Sequence, residues 1–160
     1  MANFYRELNQ EQIEFIKEQK IFFVATAPLV NGKINLSPKG YDTLTILNSQ
    51  LIMYADYYGS GNETATHINE NQRITLMWNS YDETPVILRA YGIGRVISKE
   101  SEEFVDLMQK YYQSIEPRII RQLFIINIDE IQSSCGWGVP IMKFEKHREK
   151  LEAMSLKHLK

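Results

Sequence analysis

The chain predicts a mainly β protein with flanking helices (α+β class), its strands antiparallel and arranged as a barrel or a sandwich. Three observations lead there. Six short β-rich runs precede Ser98. Turn residues separate them, with Asn31-Gly32 the strongest hairpin signal and Asn48-Ser49 another. No βαβ unit joins them, as a parallel sheet would require.

Taken in order, the chain opens with a helix capped by Asn9, with Ile13, Phe15 and Ile16 on its apolar side. Residues 21–27 form a β-rich run closed by Pro28, and residues 34–37 are its return strand. Residues 43–47 and 50–57 give two more strands. Residues 73–78 and 86–97 read as a long antiparallel pair, in which Gly92 and Gly94 mark a bend or bulge. Ser98 is the expected N-cap of a helix running to about Tyr112, with Phe104, Leu107, Met108 and Tyr111 as its buried stripe. Pro117 ends that pattern and residues 123–131 return to strand. A loop containing Cys135, Trp137 and Pro140 then leads into a closing lysine- and glutamate-rich helix. With no repeat or linker, residues 1–160 are expected to form one domain.

Composition narrows the function. Of 160 residues, 44% are hydrophobic and 24% charged, the pattern of a soluble globular chain, and no apolar run is long enough for a membrane span. The N-terminus lacks a signal-peptide core and Cys135 is the single cysteine, so no intrachain disulfide is expected and the cytoplasm is the simplest compartment. The net charge is −2 with no basic stripe, which argues against a nucleic-acid partner. No spacing of cysteines and histidines suggests a metal site.

The run from Tyr57 through Gly59-Ser60-Gly61-Asn62-Glu63-Thr64 carries the strongest functional signal. Its two glycines can take positive φ, and a helical turn follows, so backbone N–H groups converge where an anion, most simply a phosphate, can sit. A plain chain reversal is the competing reading. The loop lacks the Gly-Lys-Ser/Thr ending of a triphosphate loop and the third glycine of a dinucleotide fold. An aromatic-rich antiparallel barrel mouth suits a flavin ring instead.

Several motifs, in order, are similar to those of the pyridoxamine 5′-phosphate oxidase-related flavoproteins. They are Asn35-Leu36-Ser37-Pro38-Lys39-Gly40, Tyr54-Ala55-Asp56 with the loop through Thr64, His67-Ile68, and Asn71-Gln72-Arg73. The stretch from Ile87 through Arg95 and the late run Ser134-Cys135-Gly136-Trp137-Gly138-Val139-Pro140 extend the likeness, which covers about residues 21–140. The resemblance implies an FMN-binding antiparallel split β-barrel, a homodimer with the cofactor at the subunit interface, and an oxidoreductase acting on a small substrate or electron donor. It implies Asn35, Leu36, Ser37 and Tyr54 around the flavin ring and Ser60, Gly61, Asn62, Glu63 and Thr64 at the phosphate. Lys39 would face the substrate side, and Trp137 and Gly138 would reach the ring across the dimer.

The departures from that family are specific. Its oxidases carry adjacent Arg and Lys in the phosphate loop, where this chain has Asn62-Glu63-Thr64. A later Arg/Ser-rich segment that grips pyridoxamine phosphate is also missing. Both departures argue against pyridoxamine phosphate as the substrate. Glu63 is expected to turn outward or pair with an arginine, and Arg73, Arg89 or Arg95 to supply the counter-charge. No side chain declares itself a general acid or base. Two other readings stand beside the enzyme: a flavin-binding or sensing module without turnover, and a split barrel using deazaflavin or haem. Each candidate also has a structural reading: helix capping for Ser60 and Thr64, an exposed turn for Lys39, dimer packing for Trp137. His67, His147 and His158 read as packing residues, and Cys135 as an unreactive one.

Overall fold

The computed structural model describes residues 2–157. Its elements are β1 (Asn3–Tyr5), α1 (Gln10–Glu18), β2 (Phe22–Thr26), β3 (Asn35–Lys39), β4 (Leu44–Asn48), β5 (Leu51–Tyr57), α2 (Glu63–Asn71), β6 (Arg73–Asn79), β7 (Val86–Ser98), α3 (Glu102–Tyr111), β8 (Ile120–Cys135) and α4 (Lys150–Lys157). A 3-10 turn, Pro117–Ile119, precedes β8. All strand pairs are antiparallel, in the order β3-β2-β6-β7-β8-β5-β4, and β1 adds to the far part of β8. The two end strands, β3 and β4, do not pair with each other, which leaves the barrel split.

Local chemistry accounts for most boundaries. Asn9 caps α1 through a reciprocal box: its side chain accepts from the Gln12 N–H at 2.9 Å, and Gln12 accepts from the Asn9 N–H at 3.0 Å. Gly32, at φ 142°, turns the chain between β2 and β3. Pro38 sits inside β3 without cost to the sheet because β3 is an edge strand. β7 pairs with β8 along its whole length, and the register shifts between Tyr91 and Gly92. A side chain at position 92 would overlap the Asn127 carbonyl, so glycine is what lets the two longest strands approach at that bulge.

Two apolar clusters lie on opposite faces of β5. Ile52 and Tyr54 join Val24, Leu76, Trp78 and Phe124 inside the barrel, closed by Ile16 of α1 and Ile68 of α2. Met53 and Ala55 face the second cluster, where α3 packs Phe104 and Met108 against Ile97, Leu123 and Ile125. Burying each of those two α3 side chains contributes about 1.5–3 kcal/mol. Facing two cores, β5 reads as a continuous apolar run rather than an alternating one.

Four expectations need correction. The α3 cap is Ser101, whose Oγ accepts from the Phe104 N–H at 3.1 Å, because β7 stays paired as far as Ser98. The last strand is longer than residues 123–131, because it borders β7 throughout and β5 and β1 in turn. The closing helix is confined to Lys150–Lys157. Residues 136–149 form an irregular arm, held by the Tyr41 hydroxyl donating to the Arg148 carbonyl, by Tyr41 stacking on His147 at 5.4 Å, and by Met142 N–H donating to the Tyr81 carbonyl. His158 lies outside the described residues. Finally, Gly59 and Gly61 do not take positive φ; the loop is shaped by side-chain contacts instead.

Candidate functional site

β3 and the β5–α2 loop enclose a polar pocket of about 410 Å³, lined by Asn35, Ser37, Pro38, Lys39, Asp56, Tyr57 and residues 59–64. That volume is in the range of small-molecule sites, roughly 300–1,000 Å³. β3 supplies Asn35, Ser37 and Lys39 from one side of its two-residue alternation, while Leu36 is 63% exposed and outside the lining.

Two hydrogen-bond networks order the walls. Ser37 Oγ donates to Asn35 Oδ1 at 3.1 Å, and Asn35 Nδ2 donates to Thr64 Oγ1 at 2.9 Å, tying β3 to the first turn of α2. Opposite them, Lys39 Nζ pairs with Asp56 Oδ1 at 2.8 Å. Gln122 Nε2 donates to Asp56 Oδ2 at 3.0 Å and to Asn62 Oδ1 at 2.6 Å. The second of these bonds matters most. Asn62 occupies the N-cap position of α2 yet makes no capping bond, because its oxygen is turned to Gln122. The first amides of α2 have no intrahelical acceptors and keep their partial positive charge. With Gly61, Asn62, Glu63 and Thr64 all lining the pocket, that uncapped end borders it.

On the loop's other flank, the Arg121 guanidinium donates to the carbonyls of Gly59 and Gly61 and lies 5.2 Å from the Tyr58 ring. Glu63 folds back so closely over Gly61 that any side chain at position 61 would overlap its carboxylate. Glu63 is exposed and forms no ion pair among the described residues.

The pocket therefore brings together Asn35, Ser37, Lys39, Ser60, Gly61, Asn62, Glu63 and Thr64. It does not bring in the rest. Tyr54 is fully buried between Phe22 and Phe124, and its hydroxyl has no hydrogen-bond partner among the described residues. Burial, and secondarily the negative charge of Asp56, hold that phenol well above its ordinary pKa. Arg89 reaches Ser134 Oγ on β8 at 3.4 Å. Trp137 is 84% exposed and Gly138 is exposed, both in the arm beyond β8 and outside the pocket lining. Arg73 bonds Asn71, Arg95 is paired with Glu103, and neither lines the pocket. Sequence reading missed Asp56, Arg121 and Gln122. The β5–β8 register sets Asp56 opposite Gln122, and only strand pairing reveals that.

The class the structure defines is an antiparallel split β-barrel with an uncapped helix end beside a polar cleft. Residues 8–135 match the family model described as pyridoxamine 5′-phosphate oxidase, and the chain belongs to that family. It is 34% identical over 145 residues to the pyridoxamine 5′-phosphate oxidase family protein ustO of Aspergillus flavus, covering 89% of this chain and 57% of that one. The chain thus spans little more than half the length of that relative. The fold is also similar to a point variant of HupZ of Group A Streptococcus (TM-score 0.64, 17% identity, 79% of this chain and 98% of that one). It is similar as well to the FAD-binding protein of Mycobacterium smegmatis (TM-score 0.54, 10% identity, 81% and 97%). Among the described residues, no helix is long and apolar enough to cross a membrane.

Proposed function

We propose that this chain binds FMN in the pocket between β3 and α2 and works, as a homodimer, as an oxidoreductase on a small substrate. The observation that carries the reading is the uncapped end of α2, set beside Asn35 and Ser37 in one cleft of about 410 Å³. The residues suit the group. Ser60, Thr64 and the free amides of residues 62–64 would hold the phosphate, and Asn35 and Ser37 offer donors and acceptors to the polar edge of the ring. Bound flavin supplies hydride or electron acceptance, the part of the chemistry side chains cannot do. Lys39 is held in place by its ion pair with Asp56, and its partly exposed ammonium would orient an anionic or electron-rich substrate. The family's name supports redox chemistry, and the loop's lack of adjacent Arg and Lys argues against pyridoxamine phosphate as the substrate.

The dimer rests on exposed apolar surface. Trp137, Ile141, Met142 and Phe144 stand out along one arm, and Leu29, Val30, Ile34 and Leu36 on and beside the β2–β3 turn. Such surface suits burial against a second copy. Trp137 would then approach a cofactor held mainly by the partner.

The test is the visible spectrum of the purified protein, followed by release and identification of its chromophore, with sedimentation for the assembly. FMN released at near one per chain supports the reading. FAD in its place, which the mycobacterial neighbour makes the natural rival, would change the cofactor and leave the site. Colourless protein that takes up neither flavin would overturn the proposal. A monomer under conditions of full FMN occupancy would remove the dimer.

A further inference from the structure

From the geometry we infer that Arg121 is the positioning residue of the phosphate loop, a role that rests on the flavin reading above. Its guanidinium donates to two carbonyls, those of Gly59 and Gly61, from one planar fork. The loop contains no cis peptide, and in a trans peptide the C=O and the next N–H point in opposite directions. Holding the Gly59 and Gly61 carbonyls therefore turns the Ser60 and Asn62 amides away from Arg121. Ser60 and Asn62 line the pocket and Arg121 does not. One side chain thus aims two alternate amides at the place where an anion would sit, without touching the anion itself.

The neighbouring contacts serve the same end. Arg121 lies 5.2 Å from the Tyr58 ring, a cation–π contact that helps hold the guanidinium. It pairs with no carboxylate among the described residues, so its charge is not cancelled locally and favours an anion across the loop. The adjacent Gln122 draws the Asn62 side chain off the helix cap. Two consecutive residues of β8, at the point where its register with β5 shifts, thus both hold the loop. This explains how a loop without its own Arg and Lys, and without positive-φ glycines, still presents converging donors.

The experiment compares wild type, Arg121→Ala and Arg121→Lys in titrations with FMN, riboflavin and inorganic phosphate. Melting curves report the fold, and amide chemical shifts report Ser60 and Asn62. Arg121→Ala is expected to bind FMN about tenfold or more weakly, in line with loss of charge-assisted ordering, and riboflavin as wild type does. Its Ser60 and Asn62 amide signals should shift in the free protein. Arg121→Lys should recover only part, since one ammonium cannot reproduce a two-carbonyl fork. Equal FMN affinity in Arg121→Ala and wild type would overturn the inference and leave the flavin reading intact. Equal losses for FMN and riboflavin would also overturn it, marking the role as general packing. Should Arg121→Ala not fold, a folded Arg121→Lys with wild-type FMN affinity and unshifted amides would overturn it as well. If wild type ignores flavins but is stabilised by phosphate, and Arg121→Ala is not, the clamp stands and the flavin reading falls. Wild type indifferent to both would remove the two together.

Discussion

Gln122 Nε2 lies 2.6 Å from Asn62 Oδ1, so the residue at the N-cap position of α2 bonds a strand instead of capping its own helix. An asparagine there normally stabilises the helix by about 1 kcal/mol through a side-chain bond to the first-turn amides. Here that stabilisation is given up and the amides remain available at the pocket.

Replacing Gln122 by Ala should therefore act in two directions. The Asp56 carboxylate loses a donor, and stability should fall by about 1–3 kcal/mol. The Asn62 side chain, released, can cap α2 and compete with any bound anion. Phosphate and FMN affinity should drop beyond what the stability loss explains, and adding Asn62→Ala to Gln122→Ala should restore part of it. Additive effects in that double-mutant cycle would mean that Asn62 never competes for the helix end.

Glu63 should oppose anion binding. Its carboxylate lies over Gly61 at the start of α2, where a negative charge is favourable to the helix and unfavourable to a phosphate beside it. Glu63→Gln keeps the shape and removes the charge. It should cost the free protein a few tenths of a kcal/mol, within the ~0.3–1 kcal/mol of such surface dipole effects, and tighten FMN several-fold at low salt. Unchanged affinity across salt concentrations would show that the carboxylate swings clear of the ligand.

Much of this site is legible in the sequence, and the division follows contact distance along the chain. The Asn9 cap, the turn at Gly32 and the bulge at Gly92 depend on local backbone demands, and the residue types announce them. Residues 59–64 stand out for the same reason. The groups that tune the loop do not: Arg121 and Gln122 act on partners 60 to 66 positions away, through a strand register that composition cannot supply. Tyr54 sits in a motif yet points into the barrel, because β5 is buried on both faces and periodicity does not distinguish them. The arm at 136–149 has helical charge spacing, but Tyr41 and Tyr81 hold it in an irregular path.

Stability should decline at alkaline pH. Burial raises the Tyr112 phenol above its ordinary value of 10.0, and Tyr54 is raised in the same direction. An unfolded chain ionises both near pH 10, whereas the folded protein keeps them protonated. Above that point the unfolded state binds fewer protons, so stability, fully present below about pH 10, falls as pH rises. Denaturant midpoints measured from neutral to strongly alkaline pH should show this, with Tyr112→Phe giving a shallower decline. That variant should also lose about 1 kcal/mol at neutral pH, because the Tyr112 hydroxyl donates to the Thr43 carbonyl at 2.9 Å. A pH-independent midpoint across the range would show that both phenols titrate normally in the folded state.

Tyr54 offers the sharpest separation of stability from function. Its ring is packed at 4.9 Å against Phe124 and edge-on to Phe22 at 5.6 Å, so Phe would fill the same space. Its hydroxyl is buried and has no partner among the described residues, a situation that costs about 1–3 kcal/mol of desolvation with nothing in return. Tyr54→Phe should therefore leave the free protein equally stable or up to about 1–2 kcal/mol more stable. A residue that weakens the fold where it stands is the kind expected near a ligand, and Lys39 Nζ, at the pocket wall, is 6.0 Å from the Tyr54 ring. If the hydroxyl acts on the bound cofactor, the same variant should bind FMN several-fold more weakly or shift its visible spectrum. Opposite signs in melting temperature and affinity would mark Tyr54 as kept for the ligand. A destabilised variant with unchanged FMN binding would instead show that the hydroxyl finds a partner inside the core, such as an ordered water.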